Sequence, residues 1–188
     1  RSRELHRRSG GNPFYAEELL AAAVSGADRL PAGLHYLILA RSQSLSPEAL
    51  DCLHAASTLA APIDPLVLRA TTGLATDSVR AAIDALCRDR FLVEDGVGFR
   101  FRHELVREAF LDELLPGERA GLFARAARAL EEHRPERLGE IARLHFNAAQ
   151  LPEALVASVR AADAAGAGVL ADDDREVAIG EGGGRLGP

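Results

Sequence analysis

Three observations predict a mainly α-helical protein with one short β-hairpin. Aromatics make up only 5% of the 188 residues. Alanine is abundant, and that mix favours helices packed through small contacts over a β-sandwich. Apolar residues recur at helical spacing through most of the chain, between cap and turn signals. The pattern breaks at Phe91-Leu92-Val93-Glu94 and Phe99-Arg100-Phe101-Arg102, which flank Asp95-Gly96-Val97-Gly98. Two short apolar runs about a Gly-rich turn read as a hairpin.

The elements follow in order. Residues 1–8 read as the polar end of a helix that begins upstream, with Arg1 as a boundary inside a longer protein. Asn12 is a good N-cap and Pro13 suits the first helical position. Tyr15, Leu19, Ala22 and Ala23 then recur at helical spacing until Ser25-Gly26. A helix after Pro31 carries Leu34, Leu37, Ile38 and Leu45. Ser46-Pro47-Glu48 opens another, with Leu50, Leu53, Ala56 and Ala60. A short helix near Pro65–Thr72 stops at Gly73, and Thr76 can cap the next, where Val79, Ala82, Ile83 and Leu86 share a face. Three helices and then a hairpin is the order of a winged helix. A further helix from about His103 carries Val106, Ala109, Phe110 and Leu114 on one stripe. Helices then start near Glu118, Glu136 and Pro152. The first and third of these lie about 34 residues apart, the tetratricopeptide period. Beyond Ala165 the pattern decays, and Asp172-Asp173-Asp174 and Gly182-Gly183-Gly184 predict a frayed or disordered tail.

Composition narrows the chemistry. There is no lysine, so every basic residue is arginine. A Schiff base, a phosphate-loop lysine and a lysine general base are therefore excluded within this chain. The net charge of −6 does not indicate a global nucleic-acid binder. Cys52 and Cys87 sit inside helical patterns and suit buried thiols in a reducing compartment. No apolar run approaches the ~20 residues a membrane span requires. The expectation is a soluble, cytoplasmic chain.

No Gly-x-x-x-x-Gly-Lys-Ser/Thr loop, Gly-x-Ser-x-Gly elbow, His-Glu-x-x-His helix or paired Cys-x-x-Cys is present. His6, His35, His54, His133 and His145 are dispersed and read as packing or surface residues, and no metal site is expected. Two segments stand out. One is Gly11-Asn12-Pro13-Phe14-Tyr15-Ala16-Glu17-Glu18-Leu19-Leu20, which locally needs no more than a well-capped helix start. The other is Phe99-Arg100-Phe101-Arg102-His103-Glu104-Leu105-Val106-Arg107-Glu108-Ala109-Phe110. Here Phe99, Phe101 and His103 alternate onto one strand face, and Arg107 follows His103 by one helical turn. The plain reading is a core-edge histidine with a solvated arginine.

In this combination and order, the segments resemble the region just after the ATPase core of bacterial STAND-class signalling ATPases, especially the large LuxR-type transcriptional regulators. The resemblance spans roughly residues 5–165. It is carried by Gly11-Asn12-Pro13-Phe14 with Glu17-Glu18-Leu19-Leu20, by Leu30-Pro31 and Arg41, by the run from Phe101 to Ala109, and by the helical repeats. It implies that Pro13 packs near the adenine of a bound nucleotide. It also implies that His103, in Phe101-Arg102-His103-Glu104 where the family has Met-His-Asp, contacts the diphosphate of ADP. Asn12 and Arg107 are weaker candidates for the same site.

The domain organisation expected on this basis is a part of a helical lid over 1–45, a winged helix over 46–115, tetratricopeptide-like repeats over 116–165 and a disordered tail over 166–188. The expected function is a non-catalytic regulatory segment of an ATP/ADP-switched transcription regulator. Its partners would be an upstream ATPase core of the same polypeptide, which holds most of the nucleotide, and an inducer or protein partner on the repeats. Direct contact with nucleic acid or membrane is not expected.

Two alternatives remain open. One is a DNA-binding winged helix reading with Thr76–Arg90. That helix sets Asp77, Asp84 and Asp89 against Arg80, Arg88 and Arg90, so it is electrically neutral, and Arg100 and Arg102 on the wing are the local basic pair. The other is a helical-repeat scaffold for a protein partner.

Overall fold

The computed structural model describes residues 13, 15, 17 and 31–180, with Ala32 and residues 167–180 described by their backbone alone. Pro13, Tyr15 and Glu17 are helical. The following helices are α1 (Ala32–Ala40), α2 (Pro47–Thr58), α3 (Pro65–Thr72) and α4 (Thr76–Arg88). A single 3₁₀ turn, Arg41–Ser44, links α1 to α2. Strands β1 (Leu92–Asp95) and β2 (Gly98–Phe101) come next, then α5 (Glu104–Glu113), α6 (Pro116–His133), α7 (Leu138–Asn147) and α8 (Leu151–Gly180). The chain is mainly helical, and the described residues hold one small two-stranded sheet.

Local chemistry accounts for most of these boundaries. Ser46 caps α2 by accepting from the Ala49 N–H at 3.2 Å, with Pro47 in the first turn. Asp64 caps α3 through the Leu66 N–H at 2.8 Å. Gly73 ends α3 in the left-handed region at φ 76°, which a side chain would resist. The cap of α4 differs from the sequence expectation. Ala75 occupies the N-cap with no side-chain hydrogen bond, and Thr76 is already inside the helix. The helical pattern was expected to end near Ala165. The backbone of α8 continues as helix to Gly180. Residues 181–188 lie outside those described.

The hairpin pairs Leu92 with Phe101 and Asp95 with Gly98. A further bridge lies beside it. The N–H of Ile63 donates to Phe99 O at 2.7 Å, and the Phe99 N–H donates back to Ile63 O at 3.0 Å. Gly98 makes this approach possible, since a Cβ there would stand 2.5 Å from Ile63 O.

One apolar cluster runs through these elements, with Leu34, Ile38, Leu53, Leu68, Leu86, Phe91, Phe110, Leu130 and Leu144 at its centre. Helix α2 packs against α4 and α5, α3 against α6, α6 against α7, and α7 against α8. The outer stripe of α8, at Leu151, Leu155 and Val159, faces solvent.

Charged side chains reinforce the junction between the α2–α3 region and the α6–α7 pair. Arg143 Nη2 donates to Thr58 O at 2.9 Å, and Arg137 donates to Ala60 O and Pro62 O. The Ala60 N–H donates to Glu140 Oε1 at 2.6 Å. Glu140, whose side chain is 8% exposed, also pairs through Oε2 with Arg137 at 2.7 Å. That second contact is an ion pair without hydrogen-bond alignment. Arg134 Nε donates to Asp64 Oδ2 at 2.7 Å, and Arg125 Nε donates to Thr71 O at 3.1 Å. Burial pushes the Asp64 carboxyl up, but the Leu66 N–H and the Arg134 guanidinium outweigh it and hold the group below its usual range.

Replacing Glu140 with alanine should leave the Ala60 N–H without its acceptor and Arg137 without its ion-pair partner. The expected loss of stability is about 3 kcal/mol, read as a lower urea midpoint at unchanged m-value. Glu132→Ala, on the exposed side of α6, should cost under ~0.5 kcal/mol. Equal losses in the two variants would contradict this account.

Candidate functional site

His103 is the N-cap residue of α5, with extended backbone (φ −134°, ψ 134°), and its side chain makes no capping bond. Strand β2 delivers it there, and Leu105 and Val106 anchor the helix that follows in the core. The ring lies edge-on to Tyr15, with centroids 5.5 Å apart and planes at 86°. Tyr15, two residues after Pro13, therefore meets the end of the wing at His103, and the two segments singled out in the sequence touch there. Tyr15 is buried, whereas Pro13 is exposed beside it.

The Nδ1 atom of His103 is buried and has no hydrogen-bond partner among the described residues. Either tautomer leaves that nitrogen with an unused donor or acceptor. Orphaned buried polar groups are uncommon and mark sites worth a functional explanation. The surroundings are cationic. Burial pushes the imidazole below its ordinary pKa, and the charges of Arg102, Arg41 and Arg100 push it further the same way. Arg41 is itself held in place. Its guanidinium lies 5.0 Å from the centroid of the Phe91 ring, and Nη2 donates to Asp89 O at 3.0 Å.

Arg107 does not join this group. Its Nε donates to Glu104 Oε1 at 2.6 Å and its Nη1 to Ser57 O at 2.9 Å, so it faces the end of α2. Asn12 lies outside the described residues. The sequence reading passed over the fixed position of Arg41 beside His103. It also passed over the roles of Arg137, Glu140 and Arg143. The available signal was their spacing of three residues across the N-cap and first two turns of one helix, which places all three on one side.

The other titratable groups have structural roles. His145 is buried between Gln150 Oε1 at 2.9 Å and Glu131 Oε1 at 3.0 Å. His54 meets Glu113 at 3.1 Å and packs edge-on to Phe110. Cys52 is buried, and burial, helped by Asp51 and Glu48, raises its thiol to about 11, which leaves it unreactive at neutral pH. Among the described residues no group of three or more His, Cys, Asp or Glu side chains is placed to hold a metal ion, and no helix is long and apolar enough to cross a membrane.

Comparison with protein-family models, curated proteins and solved structures gave no match.

The His103 environment has a pH signature. The folded state keeps the imidazole neutral at pH values where a free histidine takes up a proton. Below about pH 6.5 the unfolded chain therefore binds a proton that the folded chain refuses, and stability falls until the folded pKa is reached. His103 should titrate by NMR below the ordinary histidine value. The His103→Gln variant should lose less stability than wild type between about pH 7.5 and about pH 5.5. A titration midpoint at or above the ordinary value would contradict this.

Proposed function

We propose that this chain is a non-catalytic regulatory segment of a nucleotide-switched bacterial transcription regulator, and that His103 reads the diphosphate of ADP bound to an upstream ATPase core. The observation that carries the reading is the convergence of Tyr15, two residues after Pro13, on His103. The imidazole there has an unused nitrogen and a surround of Arg41, Arg100 and Arg102. A diphosphate brought to this face would meet three guanidinium charges. It would also oppose the field that depresses the imidazole, and so favour its protonated, doubly donating form.

The element order supports the same reading. Helix α2, the bridge at Ile63, helices α3 and α4, and the β1–β2 hairpin follow one another as helix, short strand, two helices and wing do in a winged helix. The starts of α6 and α8, at Pro116 and Leu151, are separated by close to one tetratricopeptide period. On this reading the α6–α8 region is the base of a sensor arm, where an inducer or protein partner acts. ADP holds the winged helix against the core, and exchange for ATP releases it. On this reading the chain itself does not hydrolyse ATP, since it has no lysine to neutralise a β- or γ-phosphate. The DNA-reading alternative has less support. Helix α4 balances its charges, and Arg80 already pairs with Asp77 at 3.7 Å.

The test is His103→Ala in the full-length regulator. Loss of a hydrogen bond to a charged group is worth about 1.5–3 kcal/mol. ADP affinity should therefore fall roughly ten- to hundredfold, and basal reporter output should rise without inducer. Unchanged ADP affinity together with a lower melting temperature would overturn the switch role and leave His103 as a packing residue.

A further inference from the structure

A second cationic feature lies beside the His103 site; it shares Arg100 and Arg102 with the regulatory reading, but its cleft, its apolar wall and the arginines Arg107 and Arg143 play no part in that reading. A cleft of about 430 Å³ opens between the end of β2, the first turn of α5, the segment Leu59–Ile63 and helix α7. Its walls carry Arg100, Arg102, Arg107 and Arg143 against a single carboxylate, Glu104, and His103 is not among the lining residues. This cationic excess stands in a chain of net charge −6.

Structural duty explains only half of these arginines. Arg107 holds Ser57 O and Glu104, and Arg143 holds Thr58 O, yet each guanidinium keeps further N–H donors unused. Arg100 and Arg102 are exposed. Arg100 makes one long hydrogen bond, 3.4 Å to the neighbouring Phe101 O, and Arg102 has no side-chain partner among the described residues. Next to Arg102, α5 begins without a side-chain cap, so the positive end of its dipole adds to the same field. Burial and the neighbouring charges of Arg107 and Arg137 hold Arg143 below its ordinary pKa against the pull of Glu140. Positive charge is therefore crowded here beyond what the local carboxylates offset. Leu59, Ile63 and Phe101 supply an apolar wall.

We propose that this cleft binds a small organic phosphate, with the phosphate held by Arg100 and Arg102 at its mouth and the apolar part resting on Leu59, Ile63 and Phe101. Phosphate suits the site better than a single carboxylate because it offers three acceptor oxygens and greater charge to planar, forked donors. The volume falls in the range of small-molecule pockets. The site does not rest on the proposed role of His103 and can be tested in the isolated chain.

The experiment is a calorimetric titration of the chain with phenyl phosphate and, separately, with inorganic phosphate at low salt. Phenyl phosphate should bind about fivefold or more tighter than inorganic phosphate, because it alone reaches the apolar wall. The double variant Arg100→Gln, Arg102→Gln should weaken phenyl phosphate about tenfold or more, and Arg102→Gln alone should weaken it by a smaller factor. Both side chains are exposed, so the variants keep the fold, which circular dichroism verifies. Arg80→Gln, on the exposed side of α4, should change nothing. Absence of binding, equal affinity for the two phosphates, or equal weakening by Arg80→Gln would overturn the proposal. So would displacement by duplex DNA with an affinity that grows with duplex length, which would assign the arginines to nucleic acid.

Discussion

Helix α2 ends at Thr58, and the carbonyls of its last turn have no partners further along the helix. The chain then runs through Leu59–Ile63 to α3. The buried polar groups of this stretch must be satisfied from elsewhere. Arg107 from α5, Arg143 and Glu140 from α7, and Arg137 at the N-cap of α7 supply what is missing. This requirement ties elements far apart in sequence to one short segment. It seats α7 against the end of α2, and it fixes the edge on which Ile63 meets Phe99. Through Phe99 it orients the strand that leads to His103.

Two consequences follow for function. The α6–α7 pair does not hang from the preceding helices as an independent arm. It shares their apolar cluster and supplies their missing acceptors and donors. Packed side chains and hydrogen bonds run without a break from α6–α7 through the Leu59–Ile63 segment to β2. The second consequence concerns charge. With no lysine, all cationic work falls to arginine, whose forked guanidinium can hold a backbone carbonyl and still present donors elsewhere. Arg107 and Arg143 do the first, and Arg100 and Arg102 remain for the second.

Much of the fold is legible in the sequence because its signals are local. Ser46-Pro47, Asp64-Pro65 and Gly73 bound α2 and α3 through cap and turn chemistry, and the Gly-rich turn announces the hairpin. The bridge at Ile63 was not legible, since a pairing of one residue leaves no alternation to read. Thr76 misled because its residue type suits a cap that the backbone places one position earlier. At the candidate site, the sequence marked His103 and the Pro13 segment but not their meeting through Tyr15, which depends on tertiary packing. Arg107 was grouped with His103 by helical spacing. The orphan carbonyl of Ser57 and the carboxylate of Glu104 draw it the other way.

The central claim is that the α2–α5 body and the α6–α7 pair form one cooperative unit, held together at the end of α2. Native-state hydrogen exchange tests it most directly. Amides in the middle of α2, α5 and α7 should exchange through a common opening, with the same free energy and the same denaturant dependence. If the amides of α7 exchanged through a separate, lower-energy opening while α2 and α5 stayed protected, the arm would be an independent module and the account would be contradicted.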